Sequence, residues 1–240
     1  MAGSYYIALS GMRARLDELD RVAADLANVS TAGYKAERAA MVQADRPQFD
    51  AALQSAIDVA GGPSRVDVRA GAITPTGRDL DVAIDGPGMF VVATAAGPRY
   101  TRDGRLARRS DGTLVAASGD PVQGEDGRPI RLPDAPVEVR PDGSLQSGGA
   151  QVGRLKLVEF AAPEALVKEN AHLFRADGQD PRPAAGSTVR AGALEQANVS
   201  AIDRMVELTT VTRGFETLQR ALALMTNDMD GRVITELGRR

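Results

Sequence analysis

The chain has 240 residues, 43% of them hydrophobic and 25% charged, and 29 Lys and Arg against 32 Asp and Glu give a net charge of −3. A chain of this size buries a sizeable core, and its slight acidity argues against a protein that lives on nucleic acid. It contains no cysteine, which excludes disulfides, thiolate nucleophiles and zinc–thiolate sites, and it contains no apolar run long enough to cross a membrane.

The N-terminal Met1-Ala2-Gly3-Ser4 leads directly into an amphipathic stretch. It lacks the basic start and continuous apolar core of a cleaved secretory signal, so any export is expected to use another route. Tyr5, Leu9, Met12, Leu16, Leu19, Ala23 and Leu26 then recur at alternating steps of four and three. This spacing predicts a helix over about residues 3–28 with a heptad seam. Asn28, Val29, Ser30, Thr31, Ala32 and Gly33 follow as a cluster of turn formers, with Gly33 suited to a left-handed backbone. Residues 36–77 read as a connector broken by Pro47 and Gly61-Gly62-Pro63, with a possible short helix over Phe49–Ile57.

From Arg78 the pattern changes. Asp-Gly pairs recur at Asp85, Asp103, Asp111, Asp126, Asp142 and Asp177, a dipeptide suited to tight turns. Between them lie short runs rich in Val, Ile and Leu: Leu80–Ile84, Met89–Ala93, Thr113–Ala116, Val137–Val139 and Arg154–Phe160. They predict an antiparallel β-domain of short strands, followed by a further strand over Thr188–Leu194. Ser200 and Asp203 then form a capping-box-like start. Leu208, Val211, Phe215, Leu218, Leu222, Met225 and Met229 form a second heptad seam, with Gly231 as an expected break.

The expected fold class is therefore α+β. Long N- and C-terminal helices pair as a coiled-coil-like stalk, and an antiparallel all-β domain of short strands is inserted between them. The expected divisions are an N-terminal stalk helix (1–35), a connector (36–77), a β-domain (78–194) and a C-terminal stalk helix (195–240). The expected assembly seam is Leu9, Met12, Leu16, Leu19 and Leu26 against Leu208, Val211, Phe215, Leu218, Leu222 and Met225.

Catalytic chemistry finds little support. The chain's one histidine, His172, has no second His for a metal pair or a serine triad. Gly86-Pro87-Gly88 runs into a strand rather than a helix, which argues against a dinucleotide loop. Arg99, Arg102, Arg105, Arg108 and Arg109 would form a basic face on a helix, but Asp103-Gly104 falls among them and favours a solvated hairpin with some salt bridges. A basic patch that meets an acidic neighbouring subunit is the other reading. Asn28-Val29-Ser30 and Asn198-Val199-Ser200 spell glycosylation acceptors, but turn and capping roles explain both. No catalytic, cofactor or metal site is expected.

Several blocks together resemble a known family. Ala8-Leu9-Ser10-Gly11-Met12, Asp20 and Leu26-Ala27-Asn28-Val29-Ser30-Thr31-Ala32-Gly33-Tyr34-Lys35 are similar to the N-terminal signature of bacterial flagellar rod and hook proteins. Residues 80–90, Tyr100-Thr101-Arg102-Asp103-Gly104, Gly153-Arg154-Leu155, residues 192–199 and Arg213-Gly214-Phe215-Glu216 continue the likeness in the family's order. Asn28, Thr31, Gly33, Tyr34, Lys35, Asn198 and Val199 are the family-motif residues. Two positions depart from the pattern: Ala24-Asp25 stands where the family usually has two asparagines, and Gly88-Met89-Phe90 where it has Gly-Phe-Phe.

The resemblance implies a structural subunit of the basal-body rod that crosses the periplasm, stacks helically and transmits torque. Length and the short connector favour a proximal over a distal rod member. Implied partners are other rod subunits, self and paralogous, and the flagellar type III export apparatus, with no nucleic acid, small-molecule substrate or membrane span. An adhesive β-domain on a stalk and a hydrolase using paired carboxylates are the competing readings; the former suffers from the lack of Trp.

Overall fold

A computed structural model describes residues 2–39 and 64–237, and side-chain environments for most residues between 11 and 220. The chain divides into two compact units. In described residues, the first comprises helix α1 (Ala2–Ala27) and helix α2 (Ala201–Leu237). The second is built from residues 28–38 and 65–199. No helix among the described residues is long and apolar enough to cross a membrane.

The second unit is antiparallel β-structure. Its main sheet has six strands in the order β13-β14-β6-β5-β12-β15. Here β5 is Met89–Thr94, β6 Gly97–Thr101, β12 Leu157–Glu159, β13 Val167–Lys168, β14 Phe174–Arg175 and β15 Arg182–Pro183. A three-stranded sheet joins β9 (Glu138–Val139), β10 (Ser144–Ser147) and β11 (Ala150–Arg154). Two-stranded pairs join β3 (Ile73–Pro75) to β17 (Ala193–Glu195), β4 (Val82–Asp85) to β16 (Thr188–Ala191), and β7 (Ala107–Arg108) to β8 (Leu114–Val115). Strands β1 (Glu37–Ala39) and β2 (Ser64–Val66) pair where the connector begins and ends.

Strand β5 explains why its sequence reads as an unbroken apolar run. Successive side chains of a strand point to opposite faces. Phe90 and Val92 enter a core with Leu106, Leu114, Val122, Leu145 and Leu155. Met89 and Val91 enter a second core with Tyr100, Val158, Phe160 and Phe174. There Tyr100 and Phe160 meet edge to face at 4.7 Å between ring centroids, the geometry that aromatic quadrupoles favour. With both faces buried, neither can be polar.

Local signals place many elements. Helix α1 ends at Ala27, where Thr31 N donates to the Asn28 carbonyl at 3.0 Å. Asp111-Gly112 and Asp142-Gly143 sit between the paired strands β7–β8 and β9–β10, with both glycines at positive φ. The Ser200 hydroxyl accepts from Asp203 N at 3.4 Å ahead of α2.

Other expectations require correction. The stalk of long terminal helices paired as a coiled coil does not form: the molecule is mostly antiparallel sheet. Where they meet inside the first unit, the Asp25 carboxylate lies 3.5 Å from the Arg204 guanidinium, and the Arg15 side chain faces Gly214. Among the described side chains of α1 the buried residues are Val22 and Asp25, while the heptad positions Leu16 and Ala23 are exposed and Met12, Leu19 and Leu26 are half-buried. A straight helix drifts by about 20° per heptad away from a 3.5-residue stripe, and only supercoiling keeps such a seam inside. Gly231 does not break α2, which continues to Leu237. The expected strand over Thr188–Leu194 is two strands, divided at Gly192 with φ 67°. Asp103-Gly104 is not a hairpin turn: β6 before it pairs with β5 and β14 and β7 after it with β8, and Gly104 is pressed against the Val82 backbone with no room for a Cβ. Most of the connector, with the expected helix over Phe49–Ile57, lies outside the described residues.

Candidate functional site

The second unit is closed by a buried polar node that gathers three distant blocks of sequence. At its centre is Glu195, the last residue of β17 and 1% exposed. Its Oε1 accepts from Lys35 Nζ at 2.6 Å and from Gly71 N at 2.9 Å. Its Oε2 accepts from Arg102 Nη1 at 3.2 Å, and its backbone carbonyl accepts from Gly33 N at 2.7 Å. One glutamate thus binds the N-terminal, central and C-terminal blocks together.

The surrounding groups use their remaining donors on backbone carbonyls. Lys35 Nζ also donates to Arg69 O at 2.7 Å, and Arg102 Nη2 donates to Gly86 O at 2.6 Å. Burial pushes the Lys35 ammonium and the Arg102 guanidinium below their ordinary pKa values, and Glu195 opposes both shifts. A buried charge is tolerated only when paired and hydrogen-bonded in this way. Gly33 is required by space as well as by its φ of 67°, since a Cβ there would collide with the Arg102 backbone.

Asn198 forms a second tie. Its Oδ1 accepts from Ala36 N at 2.9 Å, and its Nδ2 donates to Asp67 O at 2.7 Å. Beside it the Asp67 carboxylate receives Arg69 and Arg38. The Arg69 fork holds the Asp67 carboxyl below its ordinary 3.8, with the Arg69 N–H and Arg38 adding to the effect against the cost of burial. The Lys168 ammonium lies 3.6 Å from the centre of the Tyr34 ring and donates to Lys35 O at 2.7 Å. Asn198 is therefore neither a cap nor a free acceptor. It fastens residues 34–36 to residues 67–69, and β17 lies immediately before it.

Of the expected motif residues, the structure brings Gly33, Tyr34, Lys35 and Asn198 into this node. Asn28 and Thr31 form the adjoining turn, with Thr31 Oγ1 3.2 Å from Asn28 Oδ1, and Val199 is half-buried beyond Asn198. Sequence reasoning missed Glu195, Arg102 and Asp67 as functional positions. The available signal was a lone charge inside an apolar block, as in Ala193-Leu194-Glu195. The arginine-rich stretch is likewise not a solvated turn: Arg99 and Arg102 are buried, Arg99 against Glu169 at 2.6 Å. His172 Nδ1 lies 3.0 Å from the buried Asp103 carboxylate, which also holds Arg105.

The first unit presents the opposite chemistry. Ile202, Met205 and Val206 of α2 are 75%, 54% and 63% exposed, and their spacing puts them on one helix face. Leu16 of α1 is 44% exposed. Of the expected seam, Val211 is buried, while Met12, Leu19, Leu26, Leu208, Phe215 and Leu218 are half-buried. The side chains of Leu9, Leu222 and Met225 lie outside the described residues. Among the described residues, no group of acidic residues and histidines could hold a metal ion.

Known proteins are similar to this chain along nearly its whole length. Residues 83–147 match the family described as flagellar hook protein FlgE/F/G D1 domain. Residues 190–235 match flagellar basal body rod FlgEFG protein C-terminal. The chain is 32% identical to the flagellar basal-body rod protein FlgF of Caulobacter vibrioides, over 92% of this chain and 93% of that one. It is 31% identical to FlgF of Rhizobium meliloti over the full length of both. Flagellar basal-body rod protein FlgG of Bacillus subtilis is 30% identical over 90% of this chain and 92% of that one.

Proposed function

Because this chain belongs to the flagellar basal-body rod protein family, we propose that its two units divide the work of a rod subunit between them. It is a structural subunit of the flagellar basal body, and its relatives favour a FlgF-like over a FlgG-like member. The β unit is a self-sufficient body closed by the Glu195 node. The helical unit supplies contacts to other subunits of the rod, to copies of itself and to paralogous rod proteins. The role is mechanical rather than catalytic: contacts between subunits carry torque toward the hook. Delivery by the flagellar type III export apparatus belongs to the same reading.

The observation that carries this is the apolar face of α2. Fully burying side chains such as Ile202, Met205 and Val206 is worth roughly 1.5–3 kcal/mol each, which an isolated chain forgoes and an assembly recovers. The heptad residues Leu9, Met12, Leu16, Leu19, Leu26, Leu208, Val211, Phe215, Leu218, Leu222 and Met225 are proposed as the assembly set adjoining that face.

The test is deletion of the gene in its source bacterium, scored by electron microscopy for rods, hooks and filaments. The intact gene restores external flagella; copies lacking residues 1–30 or 200–240 do not. Normal flagella in the deletion strain would overturn the rod reading. Normal rods built from a Phe215→Asp chain would overturn the assembly set while leaving the rod reading standing.

A further inference from the structure

The chain neutralises four of its five clustered arginines internally. Arg99 pairs with Glu169, Arg102 with Glu195, Arg105 with Asp103 and Arg108 with Asp134. The fifth, Arg109, has no carboxylate partner among the described residues, and its Nη2 donates only to the Gly119 carbonyl at 2.5 Å. It lines an open pocket of about 510 Å³ with Arg128 and Arg131. The side chains of Arg128 and Arg131 are exposed and make no hydrogen bond or close ion pair among the described residues.

The three arginines are held by paired backbone. Arg109 N donates to Thr113 O at 2.9 Å, Thr113 bridges to Arg131, and Gln123 bridges to Pro129. The pocket contains one carboxylate, Asp111, whose Oδ1 is occupied by Thr113 N at 2.9 Å. That N–H and the Thr113 hydroxyl hold the Asp111 carboxyl below its ordinary value, and Arg109 and Arg131 add to the effect. Three guanidinium groups against one carboxylate leave two positive charges unbalanced in the cleft. The walls beside them are the rings of Pro121 and Pro129. A neighbouring pocket shares Arg128, Pro129 and Arg131 but adds Glu125 and Asp126, so its charge is mixed.

We propose that the Arg109–Arg128–Arg131 pocket docks a carboxylate-rich segment of a second protein chain, with at least two acidic side chains entering together. Guanidinium forks match carboxylates in paired hydrogen bonds, and proline rings suit the methylene stems of glutamate. The pocket is larger than one small anion requires and fits a few residues of extended chain. Its charge excess, focused by a cleft, draws an acidic partner at low salt and releases it as salt rises.

The experiment titrates a fluorescein-labelled hexaglutamate peptide with the full-length chain and reads anisotropy at low and at physiological salt. The wild-type chain binds at low salt, and binding weakens as sodium chloride is added. Arg128→Glu/Arg131→Glu weakens binding by at least about tenfold, and Arg128→Gln/Arg131→Gln weakens it less. Arg140→Glu, at an exposed arginine beside the β9–β10 turn, changes it by less than about twofold. Circular dichroism confirms that each variant is folded. Absence of wild-type binding, or an equal loss in Arg140→Glu, overturns the proposal. Displacement of the peptide by sulfate beyond that by sodium chloride of equal ionic strength also overturns it, because the pocket would then be a simple oxyanion site.

Discussion

The Glu195 node and the exposed face of α2 invert the usual rule of polar outside and apolar inside. In the node, Lys35, Arg102 and Glu195 are each at most 5% exposed, yet nearly all their polar atoms have partners. On α2, Ile202, Met205 and Val206 stand in solvent. The difference separates what the chain completes by itself from what we propose it leaves to another chain. A buried charge network tolerates almost no change, since removing one partner leaves the others desolvated and unpaired. An exposed apolar face costs the folded chain little, because nothing inside depends on it.

The largest expected effect tests the first half of this contrast. Glu195→Gln keeps the shape but leaves Lys35 and Arg102 without their anion. It should destabilise the β unit by about 3–5 kcal/mol. Urea unfolding followed by the near-ultraviolet tyrosine signal measures it, since Tyr34 and Tyr100 both lie in that unit. A loss under about 1 kcal/mol would mean that the node is dispensable. Gly33→Ala should exceed the roughly 1–2 kcal/mol of left-handed strain alone, because its Cβ also meets the Arg102 backbone. The same unfolding series decides it, and a neutral result would show that this approach relaxes freely.

Acid gives a smaller, graded effect. The Asp67 carboxyl is held below its ordinary 3.8 in the folded chain, so the folded state binds fewer protons than the unfolded state in that range. Its stabilisation is present above that value and is lost as pH falls through the depressed folded value. Thermal melts between pH 6 and pH 2 should therefore fall less steeply for Asp67→Asn than for the wild type; parallel curves would remove Asp67 from the account. The smallest effect on stability tests the second half of the contrast. Ile202→Gln, Met205→Gln and Val206→Gln should each change the unfolding free energy by no more than about 0.5 kcal/mol. The triple variant should nevertheless fail to restore rods in a deletion strain. A large loss of stability would show that this face is already buried in the free chain.

Local chemistry made much of the fold legible. The turn cluster after Ala27, the Asp-Gly turns at Asp111 and Asp142 and the apolar run of β5 all depend on near neighbours in sequence, and all appear where the sequence places them. The helices were legible as helices; of their expected seam Val211 is buried, while Leu16 and Ala23 are exposed. Within the first unit Asp25 faces Arg204, a pairing that the heptad spacing does not announce. Asp25 occupies a position where the family pattern usually has asparagine, so the departure introduces the carboxylate that Arg204 faces. The motif residues Gly33, Tyr34, Lys35 and Asn198 were visible as a pattern without a reason. The reason lies in Glu195 and Arg102: the only local signal at Glu195 is a charge next to apolar neighbours, and its pairing with Arg102 spans 93 positions.

By itself, the sequence determined the helices at the two ends, the turns at Asp111 and Asp142 and the family, because each is written in short-range spacing and in blocks that keep their order. Only the tertiary structure decided which charges became internal, since Lys35 and Glu195 are separated by 160 positions and Arg102 and Glu195 by 93. Pairing strands β3 with β17 and β4 with β16 returns the C-terminal block to the N-terminal one. Burial then makes the proximity of opposite charges obligatory, because a lone ion in that interior would cost several kcal/mol.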